Sequence, residues 1–423
     1  MKSPSCLCPV SLASAIVLLT STGFAQTAPA AAPVANPYKI LATTQIPAAG
    51  GIDYVAADSV NRRVYSASGS VVSVFDLDTY KLVGSLPNAS GHGVALDPEN
   101  HTGLVSGTNA VFFNTQTLQP IKTLSARGAD GYLFDPFTHH FIILSHGAPN
   151  LQVFDSKDGS VVGTVDQIGK DGSNAAVEQG ASDGQGTLYF DVADQGCIAV
   201  VDAKTLKVTA EYDLGPKGAG NAGLAIDAKN HILFAMCRGA GGRGAPAAGA
   251  NSSGPTCVIL SATDGKIITT LPLAGSSDGA VFDPNTMEAF SSTGGVANDM
   301  GDIAKGSGAL SIIKENSPTD FVLEDTVKTK SGARCCTLDT KTDHIIVHTT
   351  EPVPTPAASA ASSAPAPAMA SASAAPAAAS ASAAPAMAAT SAPAAGTDQR
   401  GGGRRGGRGP RGPQLLDVIF IGK

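Results

Sequence analysis

A motif that ends in aspartate occurs seven times along this chain and restricts its possible folds more than any other pattern. Each copy has a small or glycine-rich lead-in, a few apolar residues, an aspartate, a short polar turn and a second apolar segment. The aspartates lie 38 to 56 residues apart, and they are Asp58, Asp97, Asp135, Asp183, Asp227, Asp283 and Asp339. A repeat of this period is typical of architectures in which identical units pack on one another.

The aspartate has a structural role in the motif. In three copies proline follows it directly, at Pro98, Pro136 and Pro284. Aspartate accepts hydrogen bonds from backbone N–H groups of a turn, and proline presets φ at the next position. Third and fourth apolar segments follow in most copies, as at 71–76 and 81–86. Four short strands in a unit of about 40 residues are typical of a propeller blade. The sequence therefore predicts an all-β, seven-bladed β-propeller of four-stranded antiparallel blades.

The two ends of the chain supply the strands that the last repeat lacks. The seventh copy has two strands, then a long low-complexity stretch, then one apolar strand at Leu415–Ile421, but no fourth strand follows. The segment Tyr38–Ile46 has the pattern of a fourth strand and precedes the first copy. We expect this N-terminal strand to close the last blade, because closure removes the exposed edges of the sheet.

The pattern of the first 25 residues predicts a secretory signal. Lys2 supplies the positive charge, residues 10–20 are apolar, and Gly23 and Ala25 are small residues before a cleavage site. Residues 26–37 are then a flexible linker, and the propeller comprises 38–351 plus 414–423. We therefore expect an exported protein, in the periplasm or at the cell surface or outside the cell, without a transmembrane segment and as a monomer.

Residues 352–413 form an insertion within the last blade. Its first part is rich in alanine, serine and proline and is expected to be disordered, since it cannot bury a core. Its last part is rich in arginine and glycine and could bind a polyanion through Arg400, Arg404, Arg405, Arg408 and Arg411. The alternative is a solubilising spacer. Since the formal net charge of the whole chain is −7 despite these arginines, the propeller itself is acidic, which argues against a nucleic-acid groove on it.

The cysteines suggest one disulfide. Cys237 and Cys257 end one strand and begin its hairpin partner, so they are a disulfide candidate in an oxidising compartment. Cys335 and Cys336 are adjacent, and successive residues of a strand point to opposite faces, so at most one of them is expected in the core. The state of these two thiols stays open.

Polar residues also recur at a second position of the repeat, five residues before the turn aspartate. The six polar residues there are Asp53, His92, Asp130, Glu178, Asp278 and Arg334, and the fifth copy has Ala222. Each precedes or begins the innermost strand of a blade, so together they should surround one mouth of the central channel. They could bind a divalent cation or a cationic ligand. Arg334 instead favours an anionic or zwitterionic ligand, and the alternative role is to line a solvated channel.

The repeats resemble the YVTN-type β-propeller family, which includes the YncE-like periplasmic propellers. The resemblance rests on the seven aspartate turns, on strand pairs such as Val71–Asp76 and Ile198–Asp202, and on the signal pattern. Val64–Ala67 and Leu188–Asp191 stand in place of the name-giving tetrapeptide. The resemblance covers residues 38–350 plus 414–423 and implies a non-enzymatic binding or surface scaffold, with nucleic-acid or cell-surface roles for some members.

Together these observations favour an exported, non-enzymatic scaffold that binds an unidentified protein or small molecule. Two alternatives are a metal-assisted hydrolase resembling lactonase propellers, which would use the acids of the channel mouth, and polyanion binding through the arginine-rich segment. We expect no cofactor other than a divalent cation at the mouth. The chain has no tryptophan, which excludes WD-type repeats and tryptophan-rich quinoprotein repeats.

Overall fold

The computed structural model describes residues 37–107, 109–239, 254–354 and 412–423. The predicted signal, the linker except residue 37, most of the predicted insertion and all five arginines of the polyanion candidate lie outside these ranges. The described residues form 28 β-strands in seven four-stranded antiparallel sheets. Two short 3₁₀ turns, Lys170–Gly172 and Gly215–Lys217, are the helical elements of the described residues. Within the same ranges, no helix has the length and apolar character needed to cross a membrane.

The strands of the first half of the chain are β1 (Lys39–Pro47), β2 (Ile52–Asp58), β3 (Arg63–Ser68), β4 (Val71–Asp76), β5 (Leu82–Pro87), β6 (Gly93–Asp97), β7 (Thr102–Ser106), β8 (Asn109–Asn114), β9 (Gln119–Ser125), β10 (Ala129–Asp135), β11 (His140–Ser145), β12 (Leu151–Asp155), β13 (Val161–Val165) and β14 (Val177–Ser182). Those of the second half are β15 (Thr187–Val192), β16 (Cys197–Asp202), β17 (Lys207–Asp213), β18 (Asn221–Asp227), β19 (Ile232–Cys237), β20 (Thr256–Ser261), β21 (Ile267–Pro272), β22 (Gly275–Asp283), β23 (Glu288–Val296), β24 (Gly308–Ser317), β25 (Asp320–Thr329), β26 (Cys336–Asp339), β27 (His344–Pro352) and β28 (Gln414–Gly422).

The sheets are the blades of a seven-bladed propeller, as predicted. Blades 1 to 6 each contain four consecutive strands, from β2–β5 to β22–β25, with the first strand innermost. Blade 7 has the strand order β26-β27-β28-β1. The inner strand of each blade contacts the inner strands of both neighbours, and β26 contacts β2, so the blades form a closed ring.

The closure of blade 7 confirms the prediction for the chain ends. β1 pairs antiparallel with β28, and Ile46 lies opposite Leu416. Both chain ends also contact blade 6 at the buried Glu288: the Tyr38 hydroxyl donates a hydrogen bond of 2.5 Å to Oε2, and Lys423 Nζ lies 2.9 Å from Oε1. The pairing of β28 with β1 therefore completes blade 7 and closes the ring.

The core lies mostly between neighbouring blades. Tyr65 and Phe113, for example, belong to blades 1 and 2 and share one buried cluster, with ring centroids 5.9 Å apart. Burial of each large apolar side chain contributes about 1.5–3 kcal/mol, so these clusters supply much of the stability of the ring. Outer strands are more exposed, as Val161 of β13 shows.

The turn aspartates cap the loops between the first and second strands. Asp97 is fully buried, and its Oδ1 accepts hydrogen bonds from the backbone N–H groups of Glu99 and Asn100 at 3.0 and 3.2 Å. The carboxylate also accepts a hydrogen bond from the Ser156 hydroxyl of blade 3. The recurrent aspartate is therefore explained by the turn and by the attachment of the next blade.

The repeated glycine four residues before the aspartate is explained by crowding in the channel. A Cβ atom on Gly93 would lie 2.2 Å from the ring of Tyr132, and one on Gly131 would lie 2.2 Å from the carbonyl oxygen of Glu178. Glycine at these positions allows the inner strands to approach closely and leaves space for a few larger side chains from other blades.

The disulfide predicted between Cys237 and Cys257 is not formed, and both thiols are free. The two cysteines do lie on paired strands, but Cys237 is opposite Thr256 and Cys257 is opposite Met236. An offset of one residue directs their side chains to opposite faces of blade 5. Cys237 accordingly packs in a cluster shared with blade 4, and Cys257 in a cluster shared with blade 6.

The expectation that at most one of Cys335 and Cys336 is buried is wrong. Cys336 belongs to the cluster that joins blades 6 and 7. Cys335 is also buried, with its Sγ 3.5 Å from the carbonyl oxygen of Asp278 on the neighbouring inner strand. Both cysteines are therefore covered: Cys336 by the cluster between blades 6 and 7, and Cys335 by the inner strand β22 of blade 6.

Candidate binding site at the channel mouth

The six predicted mouth residues lie together at the beginning of the inner strands. Asp53, Asp130, Glu178 and Asp278 are within β2, β10, β14 and β22, whereas His92 and Arg334 lie just before β6 and β26. Their side chains meet because the repeat places them at one level of the ring. We call this end of the inner strands the mouth and the other end, which carries the turn aspartates, the turn end.

One half of the mouth pairs carboxylates with imidazoles. His92 Nδ1 lies 2.8 Å from Asp53 Oδ2 and 3.2 Å from Asp130 Oδ1. The other oxygen of Asp130 lies 3.0 Å from Nε2 of His146, and that nitrogen is 3.7 Å from Glu178 Oε1. Asp130 therefore lies between two histidines and uses a different oxygen towards each.

The other half pairs carboxylates with guanidinium groups. Arg238 Nη1 lies 3.1 Å from Glu178 Oε1, and its Nε lies 2.8 Å from Asp278 Oδ1. Arg334 Nη1 lies 2.6 Å from Asp278 Oδ2, and its Nη2 is 3.8 Å from Asp53 Oδ1. Asp53 is also the carboxylate that contacts His92, so the contact with Arg334 joins the two halves. The eight side chains thus form a closed circle in which acidic and basic groups alternate, and we call it the charged ring.

Two members of the charged ring, His146 and Arg238, were not predicted. Both follow directly after a second strand, β11 and β19, and the second strands end at the mouth because they run antiparallel to the inner ones. Blade 5 has Ala222 at the inner position and contributes Arg238 from the end of β19 instead. The sequence signal that could have identified His146 and Arg238 was the position of each residue directly after a second strand.

Burial differs around the charged ring and shifts the pKa values of its members. The side chain of Arg238 is only 4% exposed, whereas those of His92 and His146 are each 42% exposed. Burial raises the pKa of Glu178, although the charge of Arg238 opposes this shift. The hydrogen bond to Asp53 raises the pKa of His92 against the effect of burial. Glu178, Arg238 and Asp278 are therefore embedded, whereas both imidazoles and the guanidinium of Arg334 are open to ligands.

The channel below the charged ring is occupied by side chains that reach across it. The hydroxyls of Tyr54 and Tyr132 donate hydrogen bonds to the carbonyl oxygens of Glu178 and Val55, at 3.3 and 3.2 Å. Gln179 accepts hydrogen bonds from two backbone N–H groups, those of Leu224 and Ala280, at 2.9 Å each. A cavity of about 170 Å³ remains among these residues. The mouth is consequently a shallow basin with a floor.

Two buried titratable residues support this basin. His348 Nδ1 lies 2.7 Å from the Ser66 hydroxyl, its Nε2 lies 3.1 Å from the carbonyl oxygen of Asp53, and burial lowers the pKa of His348 to about 4. A neutral imidazole therefore holds the backbone of Asp53 in place. Burial also raises the pKa of Asp191, at the end of β15, to about 8.

Asp191 is paired with Asn221, whose Nδ2 donates to Asp191 Oδ1 at 2.8 Å. Among the described residues, neither Asp191 Oδ2 nor Asn221 Oδ1 has a hydrogen-bond partner. An orphaned oxygen on a fully buried carboxylate makes the charged form costly, and burial accordingly raises the pKa of Asp191 to about 8, which favours the neutral acid at pH 7.

No protein-family model matches this chain, and no curated protein matches its sequence. Similar solved structures exist, however. A chain of the mitotic checkpoint complex has a TM-score of 0.58 at 14% identity and covers 78% of this chain and 95% of that one. The WD40 repeats of RRP9 have a TM-score of 0.53 at 12% identity, with coverage of 72% and 89%, and U3-55K has 0.52 at 10%, with coverage of 72% and 90%.

What this chain shares with them is the propeller fold. Identities of 10 to 14% carry no further information about activity. This chain reaches the same architecture without any tryptophan, so its aspartate-turn repeat replaces the sequence pattern of the WD type.

Proposed function

We propose that this chain is an exported, non-enzymatic β-propeller that binds a ligand or a partner at its charged ring. The observation that carries the proposal is the ring itself: four carboxylates, two imidazoles and two guanidinium groups from all seven blades converge above the side chains that cross the channel. Polar groups that converge in a concave surface are typical of binding sites. The fold does not need them for its turns, because the turn aspartates serve that purpose at the other end.

The ligand class follows from the two halves of the charged ring. The guanidinium of Arg334 is 38% exposed and offers donors to a carboxylate or phosphate. The exposed imidazoles and Asp53 offer acceptors and a negative potential to a cationic group. A molecule or peptide segment that carries both signs of charge fits this arrangement best.

Export and the scaffold role have further support from the sequence. Residues 1–25 have the composition of a secretory signal. The repeats resemble YVTN-type propellers of the YncE-like periplasmic group, for which a scaffold role in the periplasm or at the cell surface is implied.

A thermal-shift screen of the purified full-length chain tests the proposal. The probes are free amino acids, charged dipeptides, dicarboxylates and diamines, each at several concentrations. A ligand at one hundred times its Kd stabilises the folded state by about 2.7 kcal/mol, which is a measurable shift. We expect at least one zwitterionic probe to stabilise the wild-type chain but not D278N.

E99Q is the matched control, because Glu99 is an exposed carboxylate at the turn end. It should respond to the probes as the wild type does. An equal response of D278N would place the binding site elsewhere. Turnover of lactone or ester substrates by the wild type, lost in D278N, would contradict the non-enzymatic role and support the hydrolase alternative.

Export has its own test. The chain, expressed with its first 37 residues in a bacterial host, should be recovered from the extracytoplasmic fraction with an N-terminus at Gln26, measured by intact mass. Recovery in the cytoplasm with residues 1–25 still attached would contradict the exported state without affecting the binding proposal.

A further inference from the structure

Three potential metal ligands meet where blades 1, 2 and 3 adjoin. Asp53 Oδ2 and Asp130 Oδ1 lie 2.8 and 3.2 Å from His92 Nδ1, and one ligand atom from each residue lies within 4.8 Å of the others. Around an ion with bonds of about 2.1 Å, neighbouring ligands are separated by about 3.0 Å at right angles and about 3.4 Å at tetrahedral angles. The two distances from His92 Nδ1 are close to these values, so both carboxylate oxygens lie where they could share an ion with the imidazole.

The hydrogen bonding of His92 is a second, separate observation. Its Nδ1 atom carries at most one proton, yet it faces carboxylate oxygens from two different blades. An N–H group that is shared between two acceptors has a poorer angle to each of them. A cation among the three atoms would contact all of them directly.

The charges of the ring indicate where such an ion would lie. In the arginine half, Asp278 contacts both guanidinium groups and Glu178 contacts the buried Arg238. In the histidine half, Asp53 and Asp130 both face His92, and the contact of Asp53 with Arg334 is long, at 3.8 Å. A divalent cation would balance the charges of these two carboxylates, whereas guanidinium groups already face the carboxylates of the arginine half.

Neighbouring residues hold the ligands in position. His146 Nε2 lies 3.0 Å from the second oxygen of Asp130, which is the outer-sphere arrangement that orients metal-binding carboxylates. His348 holds the backbone of Asp53 from below. His92 is partly exposed, so the ion can be reached from solvent and keeps coordination positions free for a ligand.

We therefore propose that Asp53, His92 and Asp130 form a binding site for one divalent transition-metal ion of the zinc type, with His146 as the outer-sphere partner of Asp130. An imidazole ligand and a set of only three protein ligands favour Zn²⁺ over Ca²⁺, which takes six to eight oxygen ligands. The inference rests on the proposed binding role of the mouth. It adds that a metal ion is one of the cations that the histidine half binds, beside the guanidinium of Arg334 that receives an anionic group.

The test uses the full-length chain after chelator treatment and dialysis. Isothermal titration with Zn²⁺ and with Ca²⁺ gives stoichiometry and affinity, and the visible spectrum of the Co²⁺ form reports nitrogen ligation. We expect one Zn²⁺ per chain and much weaker Ca²⁺ binding. H92Q and D130N should lower Zn²⁺ affinity by more than about 100-fold, and H146Q by about 10- to 100-fold.

H139Q is the matched control, because His139 is 41% exposed and also lies 3.1 Å from a carboxylate, that of Asp97, but at the turn end. Its Zn²⁺ affinity should equal that of the wild type. Failure of the wild type to retain Zn²⁺, or equal retention by H92Q and D130N, would overturn the proposal.

A measurement on the wild type alone covers the case in which a variant does not fold. Bound Mn²⁺ should broaden the imidazole resonances of His92 and His146 but not those of His139 and His140; uniform broadening would refute the assignment. Because metal binding is measured without an organic ligand, its failure and that of the proposed ligand binding are separate results.

Discussion

The two ends of the inner strands both carry carboxylates at repeated positions, yet they differ in how those carboxylates are satisfied. At the turn end, Asp97 is buried and accepts hydrogen bonds from its own turn and from Ser156 of the next blade. Burial alone would raise the pKa of Asp97, but the hydrogen bonds from Ser156, Asn100 and His139 outweigh it and lower the pKa.

At the mouth, the carboxylates have partners that are distant in sequence. Asp53 faces His92 of blade 2 and Arg334 of blade 7, and it stays partly open to solvent. The difference teaches that a repeated acid that caps the backbone N–H groups of its own turn supports the fold, whereas a repeated acid that faces charged side chains and stays partly open to solvent is available for binding. Four substitutions probe this distinction, in order of decreasing effect.

Asp191, at the end of β15, gives the largest expected effect, because it is a neutral acid rather than a satisfied anion. Its pKa is raised to about 8 in the folded chain, whereas an unfolded aspartate ionises near pH 3.9. Between these two values the unfolded state releases a proton that the folded state keeps. Stability should therefore fall as the pH rises, by about 1.4 kcal/mol per pH unit, and level off above pH 8.

D191N isolates this contribution. An amide does not titrate, and it can still pair with Asn221. Urea unfolding at pH 5, 6.5 and 8 should show the wild type losing stability relative to D191N as the pH increases. A difference between the two proteins that is constant with pH would mean that Asp191 is ionised in the folded chain.

Arg238 tests whether the embedded part of the charged ring also supports the fold. R238Q leaves the carboxylates of Glu178 and Asp278 without their buried guanidinium, and loss of one partner in a buried ion pair costs about 3–5 kcal/mol. The free energy of unfolding in urea measures this, with E99Q as the control. A loss below about 1 kcal/mol would show that the ring has no structural role.

Asp97 tests the turn end. D97A removes the acceptor of two backbone N–H groups and of the Ser156 hydroxyl, and each buried donor left without a partner costs about 1–3 kcal/mol. We expect a loss of about 3 kcal/mol in the free energy of unfolding, with Zn²⁺ affinity at the mouth unchanged. Altered Zn²⁺ binding without a loss of stability would reverse the roles assigned to the two ends.

Arg334 should give the smallest effect. Its side chain is 38% exposed, so R334Q should change the free energy of unfolding by less than about 1 kcal/mol, as for other surface ion pairs. Binding of a zwitterionic probe should nevertheless weaken, as measured by thermal shift. A stability loss comparable to that of R238Q would contradict the separation of the exposed Arg334 from the embedded Arg238.

The sequence predicted the elements that depend on local patterns. Each aspartate turn spans four or five residues and contains the backbone N–H groups from which the aspartate accepts hydrogen bonds, so Asp97 and its equivalents marked every blade. The mouth positions followed because they lie a constant number of residues before those turns. The pairing of Tyr38–Ile46 with Leu415–Ile421 followed from counting strands, since a propeller leaves no blade incomplete.

Other features depended on distances that no local pattern contains. A one-residue difference in register decided that Cys237 and Cys257 face opposite sides of a blade, and hairpin proximity alone cannot reveal it. His146 and Arg238 belong to the charged ring because second strands end at the mouth. The lengths of β11 and β19 decide where these two side chains lie along the channel axis.

By itself, then, the sequence determined the number of blades, the closure by both chain ends and the level at which polar residues line the mouth, because strand period and turn chemistry act over a few residues. Only the tertiary structure decided that these residues close into a ring of alternating charge, partly embedded and partly open. The reason is physical: charges interact through space, and the circle exists only where all seven blades bring together side chains that are tens to hundreds of residues apart, with neighbours no more than 3.8 Å from one another.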